Sequence, residues 1–137
     1  MSATCIFCKI VAREIPAEIV FEDALTIGFL DIGPLFPGHV LLAPKQHAQT
    51  LTDLPAELVS PLFTNAQTLT RAVEKAMEAP GSFIGINNRI SQSVPHLHVH
   101  IVPRKIKDGL RGFFWPRKPY TSPEHAKETG DKIRAAL

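Results

Sequence analysis

A strong net charge is the first thing missing from this chain. Fifteen lysines and arginines against thirteen aspartates and glutamates leave a formal +2, too little to direct the whole protein toward nucleic acid. No stretch approaches the roughly 18 apolar residues that a membrane-spanning helix requires. The N-terminal residues show no basic run ahead of an apolar one, so no signal peptide is expected and a cytoplasmic setting is the default. Cysteine is scarce: Cys5 and Cys8 are the only two. In a reducing compartment such a pair is expected to serve as metal ligands or redox groups rather than as a structural disulfide. A thioredoxin-like role would need a strand before the pair, within a βαβ unit, and five residues from the start there is no room for one. Internal repeats and low-complexity linkers are missing too. What remains, 137 residues at 45% hydrophobic, is expected to form one domain around a single core.

Histidine is where the chain is rich. Of six histidines, three stand in Val94-Pro95-His96-Leu97-His98-Val99-His100-Ile101-Val102-Pro103-Arg104. On a strand, period-two geometry turns His96, His98 and His100 to one face and Leu97, Val99 and Ile101 to the other. Pro95 and Pro103 are expected to bound the strand at about seven residues. Three imidazoles in a row serve packing poorly, and point to metal binding, acid–base chemistry or a nucleophile.

Around this strand the pattern predicts an α+β domain. Cys5 to Val11 reads as a short helical turn, Glu18–Phe21 and Leu25–Leu30 as a hairpin turning at Asp23-Ala24, and His39–Ala43 as a third strand. Thr52 or Asp53 is expected to cap a helix with Pro55 in its first turn. Leu58, Leu62, Ala66, Leu69, Val73 and Ala76 make its apolar stripe. Pro61 predicts a kink near Ser60, or a restart with Ser60 as the cap. Pro80-Gly81 ends the helix, Ser82–Asn87 is a fourth strand, and the histidine strand is the fifth. A final amphipathic helix covers roughly 123–137. Between them, Arg104, Lys105, Lys107, Arg111, Arg117 and Lys118 face the single acid Asp108 and surround Phe113-Phe114-Trp115, which reads as a basic, aromatic flap. Phe63 falls outside the helix stripe and calls for a second apolar surface.

A Cys₂His₂ set would make a closed structural zinc site. Cys5 and Cys8 supply half, and His39, His47, His96, His98, His100 and His125 are all available to complete it.

The order of motifs carries more. Pro-His96-Leu-His98-Val-His100-Ile-Val resembles the signature of the histidine triad (HIT) superfamily. Cys-Ile-Phe-Cys-Lys-Ile, Glu-Ile-Pro at 14–16, Phe-Glu-Asp at 21–23, Pro-Gly-His at 37–39, Pro-Lys-Gln-His at 44–47 and Gln-Ser-Val at 92–94 resemble its other landmarks in the same order. The similarity covers about residues 5–104, with 105–137 a C-terminal extension of one domain spanning 1–137. The resemblance implies a five-stranded antiparallel sheet with one long helix and a short N-terminal helix. It also implies a hydrolase or transferase cleaving purine nucleotide conjugates at the α-phosphate through a covalent nucleotidyl-histidine. By position it makes His98 the nucleophile and His100 its support, and lets Gln92 and Ser93 donate to phosphate oxygens and leaving group. Asp31 would bind the ribose, Ile6, Phe7, Ile10 and Phe29 would clasp the base, and Asn88 would contribute to nucleotide binding. Structural zinc would be held by Cys5, Cys8, His47 and His96. A homodimer through the long helix and fourth strand is implied as well, with no membrane or stable nucleic-acid partner.

The family's Asn-x-Gly-x-x-x-Gly-Gln loop is shortened here and has lost both glycines, with Arg89-Ile90-Ser91 in their place. Without glycine, backbone amides approach a phosphate less closely, and Arg89 is the side chain able to supply an anion contact instead. The basic, aromatic segment after Arg104 suggests that an anionic leaving group is tolerated. Two other readings compete: a metallohydrolase with His96, His98 and His100 on one catalytic zinc, and a non-catalytic nucleotide-binding module with the same pocket.

Overall fold

The computed structural model describes residues 3–110 and 117–137. The chain divides into two compact units, residues 1–106 and 107–137. In the first, α1 (Ile6–Val11) precedes a meander of β1 (Ile19–Glu22), β2 (Thr26–Leu30) and β3 (Val40–Pro44). A 3₁₀ turn at Leu51–Asp53 leads into α2 (Ala56–Ala76), followed by β4 (Gly81–Gly85) and β5 (Val99–Arg104). The sheet order is β1-β2-β3-β5-β4, and every neighbouring pair is antiparallel. This is the α+β architecture expected, with the histidine strand inserted between β3 and β4.

Each face of the sheet carries its own core. Val40, Leu42, Leu97, Val99 and Ile101 pack with Leu62, Ala66, Leu69 and Val73 of α2. Ile27, Phe29, Leu41 and Ala43, the alternate positions, pack with Phe7, Cys8 and Ile10 of α1. Period-two alternation across three strands thus divides the molecule into an α2 side and an α1 side. The site lies on the α1 side.

Several boundaries differ from expectation for identifiable reasons. Pro103 does not end the histidine strand; it sits opposite Ser82 of β4. The β3 pairing ends where Val40 meets Ile101, so Pro103 lies where only one neighbour remains, the position in a sheet that tolerates proline. The strand starts late instead, at Val99. Upstream, Leu97 N–H donates to Ala48 O at 2.7 Å and the His96 ring bonds Pro44 O at 2.8 Å, drawing the chain toward residues 44–48. His96 and His98 therefore precede the strand, and β4 stops at Gly85 rather than Asn87, because the chain opposite has turned away.

The long helix is a single element with Pro61 in its second turn, and no new cap forms at Ser60. The carbonyl that Pro61 leaves without its usual amide belongs to Glu57, an exposed residue where water can take the bond. Pro55 is itself the cap, while Thr50 and Asp53 form a capping box on the preceding 3₁₀ turn. Ala76 is exposed, and the half-buried Met77 closes the α2 side of the core. Glu78, at φ 51°, ends the helix before Pro80 is reached.

In the second unit α3 (Pro123–Ala136) is capped by the Ser122 side chain. The expected flap residues Arg111 and Phe113–Trp115 lie outside the described residues. Among the described residues no helix is long and apolar enough to cross a membrane.

Candidate functional site

Two groups of side chains meet on the α1 side. The first joins α1 to two distant loops. Cys5 Sγ stands 3.4 Å from His96 Nδ1, Cys8 Sγ lies 3.4 Å from His47 Nδ1 and 3.6 Å from His96 Nδ1, and the two Nδ1 atoms are 3.2 Å apart. In a tetrahedral zinc site the bond lengths place nitrogens about 3.3 Å apart and sulfur about 3.6 Å from nitrogen, so these edges fit such an ion. The donor chemistry agrees. His96 Nε2–H donates to Pro44 O, which leaves Nδ1 unprotonated toward the thiols. The Cys8 amide donates to Cys5 Sγ at 3.4 Å, and all but His47 of the four are buried. Cys5, Cys8, His47 and His96 could hold a metal, and nothing in their geometry leaves a position for substrate.

The second group is His98, His100, His39 and Asp31, and the backbone dictates the tautomers. His98 Nδ1–H donates to the His96 carbonyl at 2.7 Å, so Nε2 carries the free lone pair. The Leu35 amide donates to His39 Nδ1 at 3.1 Å, so the His39 proton is on Nε2. That N–H donates to His100 Nδ1 at 3.0 Å, which puts the His100 proton on its own Nε2. Asp31 Oδ2 lies 3.7 Å from His39 Nε2. A chain of hydrogen bonds from two backbone groups thus leaves one imidazole as a base and its neighbour, 4.9 Å away ring to ring, as a donor.

Burial keeps these rings neutral. Loss of hydration lowers the His98 pKa, offset in part by its bond to His96 O and by Asp31. Desolvation, then the neighbouring His98 and His39, brings His100 down to about 4 against the pull of Asp31. His39 is lowered chiefly by burial, again opposed by Asp31.

A cavity of about 320 Å³ opens above them. Ile6, Phe7, Ile10, Phe29, Asp31, Ser93, His98 and His100, all singled out from the sequence, line it. Phe7 meets Phe29 and His98 edge to face, with centroids 5.1 and 5.0 Å apart. Leu30, Ile32, Leu41, Val94 and the turn Ile15–Ala17 also contribute to the wall. From the sequence His39 was only a possible zinc ligand and part of a Pro-Gly-His landmark, although the signal for its place beside the triad was present: it stands two residues before Leu41, the partner of His100 in the sheet register. Strand alternation extended back from Leu41 would have put His39 beside the triad.

Gln92 and Asn88 are engaged elsewhere. Gln92 accepts from Arg89 N–H at 2.9 Å and donates to Gln49 O at 2.6 Å, while Asn88 Oδ1 accepts from Leu51 N–H at 3.0 Å. Their loop is latched to residues 49–51. Arg89 and Ser91 hold φ of 68° and 59°, the left-handed region that glycine occupies without strain. His96 faces the cysteines, so His96, His98 and His100 do not converge on one metal.

Comparison with known proteins identifies the family. Residues 12–107 match the HIT domain. The adenosine 5'-monophosphoramidase hnt1 of Schizosaccharomyces pombe is 36% identical, covering 98% of each chain. The adenylylsulfatase HINT3 of Arabidopsis thaliana is 35% identical over 77% of this chain and 55% of its own. The crystal structure of a histidine triad nucleotide-binding protein from Candida albicans superposes with a TM-score of 0.83 at 33% identity, covering 98% of this chain and 97% of that one. With the HIT domain matched over residues 12–107 and a relative 36% identical over nearly the whole chain, the chain belongs to the HIT family.

Proposed function

We propose that the protein hydrolyses, or transfers the nucleotidyl group of, purine nucleotide conjugates, through a covalent bond to His98. The observation that carries the reading is the tautomer pair: an unprotonated His98 Nε2 beside a protonated His100 Nε2 at the floor of an apolar cavity. His98 Nε2 attacks the α-phosphorus, a P–N bond forms, and the bond to the leaving group breaks with its electron pair on the departing atom. That atom takes up a proton from solvent; water then forms a bond to phosphorus and releases a proton as the P–N bond breaks, its electron pair returning to His98 Nε2. The negative charge that moves onto the phosphoryl oxygens is met by donors at His100, Ser93 and Gln92, because phosphoryl transfer is mostly positioning and electrostatics. Gln92 keeps a second amide N–H beside the one that donates to Gln49 O. Asp31 suits ribose hydroxyls, and Ile6, Phe7, Ile10 and Phe29 suit a purine. The names of two relatives, adenosine 5'-monophosphoramidase and adenylylsulfatase, support an adenylate conjugate.

The Cys5, Cys8, His47 and His96 set is assigned to a structural zinc, which would tie α1 to the loops at 47 and 96 and supply no chemistry. The chemistry is assigned to residues 5–104, with 105–137 an extension of the same domain. The half-exposed Phe63, Val59 and Ile84 on α2 and the edge strand β4 support a homodimer through that face. Reduced cysteine ligands suit a cytoplasmic setting.

The test is mass spectrometry of enzyme quenched during turnover of an adenosine phosphoramidate. A nucleotide adduct on His98 is expected, and His98→Asn is expected to lose turnover and adduct while still folding and binding AMP. Undiminished hydrolysis by that variant would sink the covalent mechanism.

A further inference from the structure

One short helix serves both groups of side chains. The amides of Lys9, Ala12, Arg13 and Glu14 donate to the carbonyls of Cys5, Cys8, Ile10 and Lys9, so α1 and the turn behind it close these bonds locally. Its side chains join it to the rest of the first unit. Cys5 and Cys8, three apart and so on one face, reach His96 and His47. Phe7 and Ile10, also three apart, line the cavity above His98 together with Ile6. The Phe7 ring stands edge to face with His96 of the metal group and with His98 of the cavity, at centroid distances of 5.9 and 5.0 Å. A second connection runs through the backbone: His96, whose Nδ1 faces the thiols, offers its carbonyl to His98 Nδ1–H at 2.7 Å. Cys5 and Cys8 thus flank two wall residues in the chain, and His96 holds His98.

We infer that the two groups are energetically linked sites, with Phe7 as the coupling side chain. Filling the Cys5, Cys8, His47 and His96 set with zinc raises the affinity of the cavity for a purine nucleotide, and bound nucleotide raises the affinity for zinc. This rests on the reading of the cavity as a nucleotide site and of the Cys₂His₂ set as a zinc site. With the metal bound, α1 is held at both faces and the Phe7 ring is in place before the nucleotide arrives. Without it, the wall must be ordered as the nucleotide binds, and that ordering opposes binding. Because Phe7 is packed against a ring of each group, neither group can shift without moving it. Thermodynamic linkage makes the effect reciprocal: each ligand tightens the other by the same factor.

The test reads binding and needs no turnover. Starting from the zinc-loaded protein, zinc affinity is measured by competition with a colorimetric chelator over a range of AMP concentrations. AMP affinity is measured by calorimetry on the loaded and the chelator-treated forms. Zinc affinity is expected to rise with AMP and level off about tenfold tighter, and calorimetry to return the same factor. The plateau separates coupling from a merely structural metal. If loss of zinc simply unfolded the chain, AMP would bind the loaded form alone and zinc affinity would climb with AMP without limit. Phe7→Leu, which removes the two ring contacts, is expected to lower the plateau to about threefold or less; taken as a ratio with and without AMP, it is independent of any change in zinc affinity itself. A zinc affinity indifferent to AMP, a climb without a plateau, or an undiminished plateau in Phe7→Leu overturns the inference. A zinc-loaded protein that does not bind AMP overturns the nucleotide reading beneath it, and a protein that does not bind zinc overturns the metal reading; both are distinct from the other three results.

Discussion

His100 shows how a single side chain can be tuned by its surroundings. His39 and His98 face it from either side and Asp31 stands beyond His39. Desolvation outweighs the acid, and the ring titrates at about 4 instead of near 6.5. Between those values the unfolded chain takes up a proton that the folded one does not, so stability falls as pH drops from about 6.5 toward 4. His100→Gln is expected to remove about 2 kcal/mol of that loss, allowing for partial exposure of the ring. Urea unfolding of both proteins at pH 7 and pH 5 checks it: the wild type should lose more between the two. An equal loss would mean that His100 is already solvated. Arg89 and Ser91 teach the opposite lesson about side-chain identity. Their left-handed backbone persists without glycine because Asn88 and Gln92 pin the loop to residues 49–51, so the loss of glycine in the sequence did not mean loss of the turn.

At the scale of elements, the join between β3 and α2 depends on a missing side chain. Gly38 leads into β3 at φ 97°, and a Cβ there would lie 2.5 Å from Met77 Cγ, just past the end of α2. Gly38→Ala is expected to cost about 2–4 kcal/mol, from backbone strain together with overpacking, as a lower midpoint in urea at unchanged slope. A loss under about 1 kcal/mol would show that Met77 moves aside freely. The elements themselves were readable because their periods are strong: Leu62, Ala66, Leu69 and Val73 recur at helical spacing, and Leu97, Val99 and Ile101 alternate. Their ends were less so. Where β5 begins depends on Ala48 and Pro44, some fifty residues upstream, and no local pattern carries that information. Pro103 read as a terminator because the sequence does not say which side of a strand lacks a neighbour.

For the whole molecule the metal group matters most. It ties residues 5 and 8 to 47 and 96, closing loops across three parts of the first unit. With a metal bound, each closure would add metal-binding energy to folding. Removing zinc with a chelator is expected to lower the thermal midpoint by about 10 °C or more while sedimentation still reports a dimer, since the metal lies on the α1 side and the proposed interface on α2 and β4. An unchanged midpoint would remove the structural metal, and a monomer at micromolar concentration before chelation would remove the dimer.

By itself the sequence determined the alternation that puts His98 and His100 on one face and the helical stripe beneath them, because these follow from residue type and local period; which histidines meet Cys5 and Cys8 did not follow from them. Which imidazole does what was decided by tertiary structure. A ring nitrogen becomes a base or a donor according to the backbone group its other nitrogen meets. The His96 carbonyl lies two residues from His98 in the same segment, but the Pro44 carbonyl and the Leu35 amide acting through His39 reach His96 and His100 only when β3, β5 and the loops around them come together.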